Sequence, residues 1–122
     1  MRKLHPLYRE DDFDITATLL YRDNDWVMID VESGDTRQHH CGLAVDYGST
    51  TIVMELVNMN SDAVIDQVKA VNGQAVYGTD ILTRITFAME DLANAKQLQK
   101  ATVKTFDSLL EQLTENTGIH AA

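Results

Sequence analysis

Asp46 is followed by Gly48 and by three hydroxyl side chains, Ser49, Thr50 and Thr51, and this cluster sits between two apolar runs, Gly42-Leu-Ala-Val45 and Ile52-Val-Met54. An acid and a glycine turn rich in hydroxyls make a cradle for a phosphate chain. The acid holds Mg²⁺ through water, the glycine lets the backbone approach the anion, and the turn's N–H and O–H groups face it. It is not a Walker loop, since no Gly-Lys-Ser/Thr follows. The plainer alternative is a hairpin turn, because Asp, Gly, Ser and Thr are ordinary turn residues. A turn chosen for its geometry alone does not need an unpaired acid at the end of an apolar run.

A second group, Asn72, Gln74, Tyr77, Asp80 and Arg84, lies downstream. Asn72, Gln74 and Tyr77 either line a site or cap a strand and shape a loop. Asp80 and Arg84, four apart, either orient a ligand or partner or form a salt bridge on a helix surface. His39-His40-Cys41 does not read as a metal site, because neighbours on an extended chain point to opposite faces. They read as a polar link ending in a small buried thiol. His5 and His120 lie near the ends and are expected in solvent. No nucleophile–base pair with sensible spacing stands out.

These residues need elements to position them. Residues 1–12 read as a loose arm. Residues 13–40 read as a β-hairpin and linker, the end of a preceding domain: Ile15, Ala17, Leu19 and Tyr21 alternate with Thr16, Thr18 and Leu20, Arg22-Asp-Asn-Asp25 turns the chain, and Val27, Ile29 and Val31 share a face. Leu43-Ala-Val45 lacks alternation, which suits a strand covered on both faces. Thr51 to Val57 and Ala63 to Val71 complete an antiparallel meander, and Asn72-Gly73-Gln74 ends it. Thr79 is the expected cap of a helix whose inward face is Ile81, Leu82, Ile85, Ala88, Met89 and Leu92. A second helix is expected after Asn94, with the stripe Leu98, Phe106, Leu109, Leu110 and Leu113, ended by Gly118. The fold class is therefore α/β (α+β): a hairpin, a three-stranded meander, then two helices.

The chain has 122 residues and a formal net charge of −9. That charge argues against nonspecific binding to nucleic acid or to an anionic membrane, both of which need basic surface. An acidic protein that binds polyphosphate needs metal ions to offset the charge, which again points to Mg²⁺. Cys41 is the single cysteine. It leaves no internal disulfide and no iron–sulfur cluster held by four cysteines of this chain, and a reducing cytoplasm is the simplest setting. The start lacks the apolar run of a signal peptide, and the apolar stretches are too short to span a bilayer.

Residues 42–92 resemble the start of the actin/hexokinase/Hsp70-type (RNase H-like) ATPase domain in the reductive activators of corrinoid proteins. The first block is Gly42-Leu-Ala-Val-Asp-Tyr-Gly-Ser-Thr-Thr51. The second is Asn72-Gly-Gln-Ala-Val-Tyr77-Gly-Thr-Asp80-Ile-Leu-Thr-Arg84-Ile. Val31-Glu-Ser-Gly-Asp35 and the stretch 95–117 look similar too. Two positions depart from the pattern: Ser49 stands where the family has Thr, and Gly73 where it has Pro. The resemblance implies that residues 41–122 are part of such an ATPase domain. It implies ATP with Mg²⁺ as ligands, weak or absent in the isolated chain. Asp46 would hold Mg²⁺ through water, Gly48, Ser49, Thr50 and Thr51 would hold the β- and γ-phosphates, and Asn72 to Arg84 would be the family-specific element near a partner surface. The implied function is support of the ATP-driven reductive reactivation of a cobalt(II) corrinoid protein, with the rest of the ATPase domain and the iron–sulfur domain lying outside this chain.

Two expectations concern this chain alone. With its later parallel neighbour missing, Leu43-Ala-Val45 would present an open edge, covered by the N-terminal hairpin or by a second copy of the chain, so a homo-oligomer is expected. No appreciable ATP hydrolysis is expected, because one loop without Lys or Arg cannot complement a whole polyphosphate. The alternative function is a non-catalytic module for protein interaction or self-association.

Overall fold

The computed structural model describes residues 14–120; the expected arm at 1–12 and His5 lie outside them. The chain divides into two compact units, the first ending at His40 and the second beginning at Cys41.

The first unit is an antiparallel hairpin of β1 (Ile15–Arg22) and β2 (Asp25–Ser33), with a bulge between Thr18 and Leu19. Asp23 and Asn24 both take positive φ, 52° and 66°. That is a type I′ turn, whose twist matches the strands it joins. Thr16 ties the far end: its hydroxyl donates to the Gly34 carbonyl and accepts from the Thr36 N–H. A 3₁₀ turn over Arg37–His39 follows. His39 and His40 are exposed, and no cluster of three or more metal-ligating side chains occurs among the described residues.

The second unit is a three-stranded antiparallel sheet of β3 (Cys41–Tyr47), β4 (Thr51–Asn58) and β5 (Ala63–Val71), in the order β3-β4-β5. The middle strand alternates cleanly: Ile52, Met54 and Leu56 are buried, while Val53 and Glu55 point to the other face. A long helix, α2 (Leu92–Thr117), covers that buried face. Its Leu109 and Leu113 join Ile52, Met54, Leu56 and Val68 in the core, with Cys41, Ala70, Phe106 and Leu110 packed around them. Each such side chain contributes about 1.5–3 kcal/mol on burial, so this face accounts for most of the unit's cohesion. Gly118 ends α2 in the left-handed conformation, φ 71°, and donates its N–H to Thr114 as a helix terminator does.

Several sequence expectations need correction. β3 is an edge strand and not a strand covered on both faces: Leu43 is 47% and Val45 40% exposed. At its far end Tyr47 donates to or accepts from Thr102 and meets Phe106 edge-on. The β1–β2 hairpin is a two-stranded sheet of its own. The short helix α1 (Ile81–Glu90) is capped by Asp80, not Thr79. Apart from Ala88, its expected inward face is outward: Leu82 is 74% and Met89 82% exposed, and Leu92, which begins α2, is 72% exposed, whereas Arg84 is 3% exposed. The apolar stripe of α2 is already spent on the sheet. α1 docks instead through Arg84, Phe87 and Ala88, with Phe87 stacked on Tyr77. α2 also begins earlier than expected, with Asp91 accepting from the Ala93 N–H.

Candidate functional site

The β3–β4 turn is tight. The Gly48 N–H donates to the Thr51 carbonyl at 3.0 Å. A Cβ at Gly48 would lie 2.5 Å from that same oxygen, which no side chain tolerates, so the turn requires glycine for close approach of backbone to backbone. Asp46, Ser49, Thr50 and Thr51 are exposed. Among the described residues, the side chains of Ser49, Thr50 and Thr51 and the N–H groups of Ser49 and Thr50 make no hydrogen bond. The turn therefore keeps its donors for solvent or a ligand, and the packing leaves it open.

What holds the turn in shape is Asn72, which is 1% exposed. Its side-chain N–H donates to the Gly48 carbonyl at 2.9 Å, and its side-chain oxygen accepts from the Gln74 N–H at 2.9 Å. Its backbone N–H donates to the Thr50 carbonyl at 2.8 Å. One buried amide thus links the end of β5 to both sides of the turn. The 3₁₀ turn that follows, Gly73–Tyr77, is stitched onto α2. Gly73 N–H donates to the Thr105 hydroxyl, and the Gln74 side-chain amide donates to Leu98 carbonyl and Thr102 hydroxyl. A Cβ at Gly73 would lie 2.6 Å from the Thr105 hydroxyl, so the close seat of this turn on α2 rests on the glycine. Asn72 and Gln74 therefore act as a brace beneath the turn.

Asp80 and Arg84 do not bridge each other. Asp80 accepts from the backbone N–H and the hydroxyl of Thr83, and these bonds lower its pKa. Arg84 turns inward, and its Nε donates to the Gly78 carbonyl at 2.8 Å. Its Nη2 is buried with no hydrogen-bond partner.

On the face of the sheet away from α2, Ala44, Asp46, Val53, Glu55 and Gln67 line a shallow recess of about 490 Å³. The Gln67 amide donates to Glu55 there. Val53 is the register partner of Asp46 on one side and of Lys69 on the other. Directly opposed residues share a face, so the exposed Lys69 stands two strand spacings, about 10 Å, across from Asp46. Sequence reasoning missed both this lysine and the bracing role of Asn72. The signal for Lys69 was its alternation within β5 with Gln67, on the face opposite Val68.

A phosphate chain fits these residues. The turn offers unpaired N–H and O–H donors, and Asp46 is exposed beside them on the face it shares with Thr51 and Val53.

Residues 41–122 match the family described as the RACo middle region. The chain belongs to that family. The corrinoid activation enzyme RamQ of Eubacterium limosum is 25% identical over 89 residues, covering 73% of this chain and 15% of the relative. A solved structure, a reductive activator for corrinoid, iron-sulfur protein, superposes with a TM-score of 0.79 at 30% identity, covering 94% of this chain and 18% of that one. This chain therefore spans less than a fifth of either relative's length. The resemblance read from the two sequence blocks is borne out, and so is the mixed α/β architecture of hairpin, meander and two helices. The RACo middle-region boundary at Cys41 coincides with the break between the two compact units. No helix of the described residues is long and apolar enough to cross a membrane.

Proposed function

We propose that this RACo middle region supplies the first phosphate-binding turn of an ATP-dependent corrinoid activator. It would serve the reductive reactivation of a cobalt(II) corrinoid protein. The observation that carries the reading is the open turn at Gly48–Thr51, with its hydroxyls and the N–H groups of Ser49 and Thr50 unpaired while a buried amide fixes its shape from below. In it Ser49, Thr50 and Thr51 hold the β- and γ-phosphates, and Asp46 holds Mg²⁺ through water. Mg²⁺ supplies the charge that lets a polyphosphate approach an acidic face carrying Asp46 and Glu55. Lys69 adds a second positive group on that face. The chain alone is not expected to turn ATP over, because the adenosine and the remaining phosphate contacts belong to other parts of the protein.

The test is a melting experiment with Mg-ATP. Ligand at about ten times its dissociation constant stabilises the folded state by about 1.4 kcal/mol, a rise of several degrees for a domain of this size. That rise is expected for the chain and not for Asp46→Ala. An equal rise in the Asp46→Ala variant contradicts the assignment. Turnover of ATP by the pure chain that disappears in Asp46→Ala would contradict the expected lack of hydrolysis. The alternative, a pure interaction module, is favoured by one observation, the outward apolar face of α1 at Leu82, Ile85 and Met89. It predicts no effect of nucleotide on melting.

A further inference from the structure

Helix α2 carries its exposed charges in a two-part order. Lys96, Lys100 and Lys104 occupy the N-terminal half, and Asp107, Glu111 and Glu115 the C-terminal half. At 3.6 residues per turn, all six fall within about 100° of the helix circumference, one continuous stripe about 28 Å long. All six are exposed, and among the described residues none of their side chains makes a hydrogen bond or ion pair.

This order works against the helix that carries it. The macrodipole favours acids in the first turn and bases in the last. α2 has no acid in its first turn and no base in its last. Its lysines also repel one another at i, i+4, as do Glu111 and Glu115. Helix stability therefore does not account for the arrangement.

A second copy of the helix does. The six positions are symmetric about the point midway between Thr105 and Phe106. Lys104 mirrors Asp107, Lys100 mirrors Glu111, and Lys96 mirrors Glu115. Laid antiparallel across a two-fold axis at that point, each lysine of one copy lies at the same height as an acid of the other, and Lys100 and Glu111, nearest the middle of the stripe, face each other directly. A two-fold interface is self-complementary by construction, and this stripe meets that condition in the order of its charges along the axis. Along one flank run the half-exposed Val103 and the partly buried Leu110. They are nearly symmetric about the same point and give the pair an apolar seam. The acidic half forms a recess of about 510 Å³ lined by Asp107, Leu110, Glu111, Thr114 and Glu115, which can receive lysine side chains. The chain's net charge of −9 opposes random self-association, so a matched stripe is what brings two copies together in one orientation.

We infer that the exposed face of α2 is a self-association surface, pairing antiparallel with the same helix of a second copy through these matched charges. This inference is independent of the nucleotide reading and uses a different surface from the β3 edge.

The test is sedimentation equilibrium of the 122-residue chain at low ionic strength, with three variants. The parent chain dimerises and dissociates in about 1 M salt, where screening acts within about 3 Å. Lys100→Glu sets acid against acid in both copies, and Glu111→Lys sets base against base. Each weakens the dimer at least tenfold. The double variant Lys100→Glu/Glu111→Lys restores the pairing with signs exchanged, and its dimer returns to within threefold of the parent. Lys100→Glu turns the repulsive i, i+4 pairs with Lys96 and Lys104 into attractive ones, so its monomer keeps its helical circular dichroism and melting temperature, which separates lost docking from lost folding. A parent chain that is monomeric at low salt and high concentration overturns the inference. So do single variants that dimerise as the parent does, or a double variant that fails to regain the dimer.

Discussion

Asn72→Ala removes the one side chain that ties the end of β5 to the phosphate-cradle turn. Two bonds of 2.9 Å are lost, to the Gly48 carbonyl and from the Gln74 N–H. A fully buried polar group left unpaired costs about 1–3 kcal/mol. Gly48 and Gln74 are half-buried, so water reaches each partner in part, and the lower half of that range applies to each. The expected total is about 2–4 kcal/mol, or roughly 10–30 °C in melting temperature for a unit of this size. Chemical denaturation and amide NMR read the two consequences separately. The midpoint falls, and the Gly48–Thr51 signals move or broaden while those of α2 beyond Phe106 stay in place. Asn72→Asp keeps the acceptor for Gln74 but sets a carboxylate against the Gly48 carbonyl. The introduced carboxyl is therefore favoured in its protonated form, which can donate to that carbonyl. Its folded pKa lies above its unfolded value, so the variant's stability is highest below the unfolded pKa and is lost as pH rises through the folded one. An Asn72→Ala protein within about 0.5 kcal/mol of the parent, with an unmoved turn, would refute the brace.

Gly48→Ala places a Cβ 2.5 Å from the Thr51 carbonyl oxygen; the turn must open, at a cost of about 1–3 kcal/mol in denaturation midpoint, and a neutral result would mean the turn is looser than described. Arg84→Met replaces a buried cation whose Nη2 has no partner; the isolated chain is expected to lose less than about 1 kcal/mol or to gain stability. A loss above about 2 kcal/mol would show that the Gly78 contact outweighs the burial of charge. Asp35 titrates at about 2, well below the usual 3.8, because the Arg37 side chain hydrogen-bonds its carboxylate. Its contribution is present above the ordinary carboxylate range and is lost as pH falls from about 4 to about 2; carbon NMR of the carboxyl should show that low midpoint and its return toward 3.8 in Arg37→Ala.

The strands were legible because their period is two and their turns carry Asp, Asn and Gly where positive φ or tight pairing demands them. Asp23 and Asn24 announced the first hairpin. The Leu98–Leu113 stripe announced the long helix, whose Leu109 and Leu113 pack on Ile52, Met54 and Leu56. The face of α1 was misread for a physical reason. A periodic apolar stripe shows which side of a helix avoids water, and it does not show whether the cover belongs to the same chain. Leu82, Ile85 and Met89 have no cover among the described residues, and the inward position went to Arg84, a residue that ordinarily argues for surface. The candidate turn was legible as chemistry. Its support was not, because Asn72 is 24 residues from Gly48 and comes back to it only through the register of β4 on β5. Lys69 is likewise placed by register: it opposes Val53, which opposes Asp46, and no local pattern links the three.

The most direct test of the central claim is an amide NMR titration of the chain with Mg-ATP, repeated with Asp46→Ala. The account predicts saturable shifts at Gly48, Ser49, Thr50 and Thr51 that vanish in the variant while the rest of its spectrum stays native. Shifts confined to other parts of the chain, or none anywhere up to millimolar ligand, would contradict it.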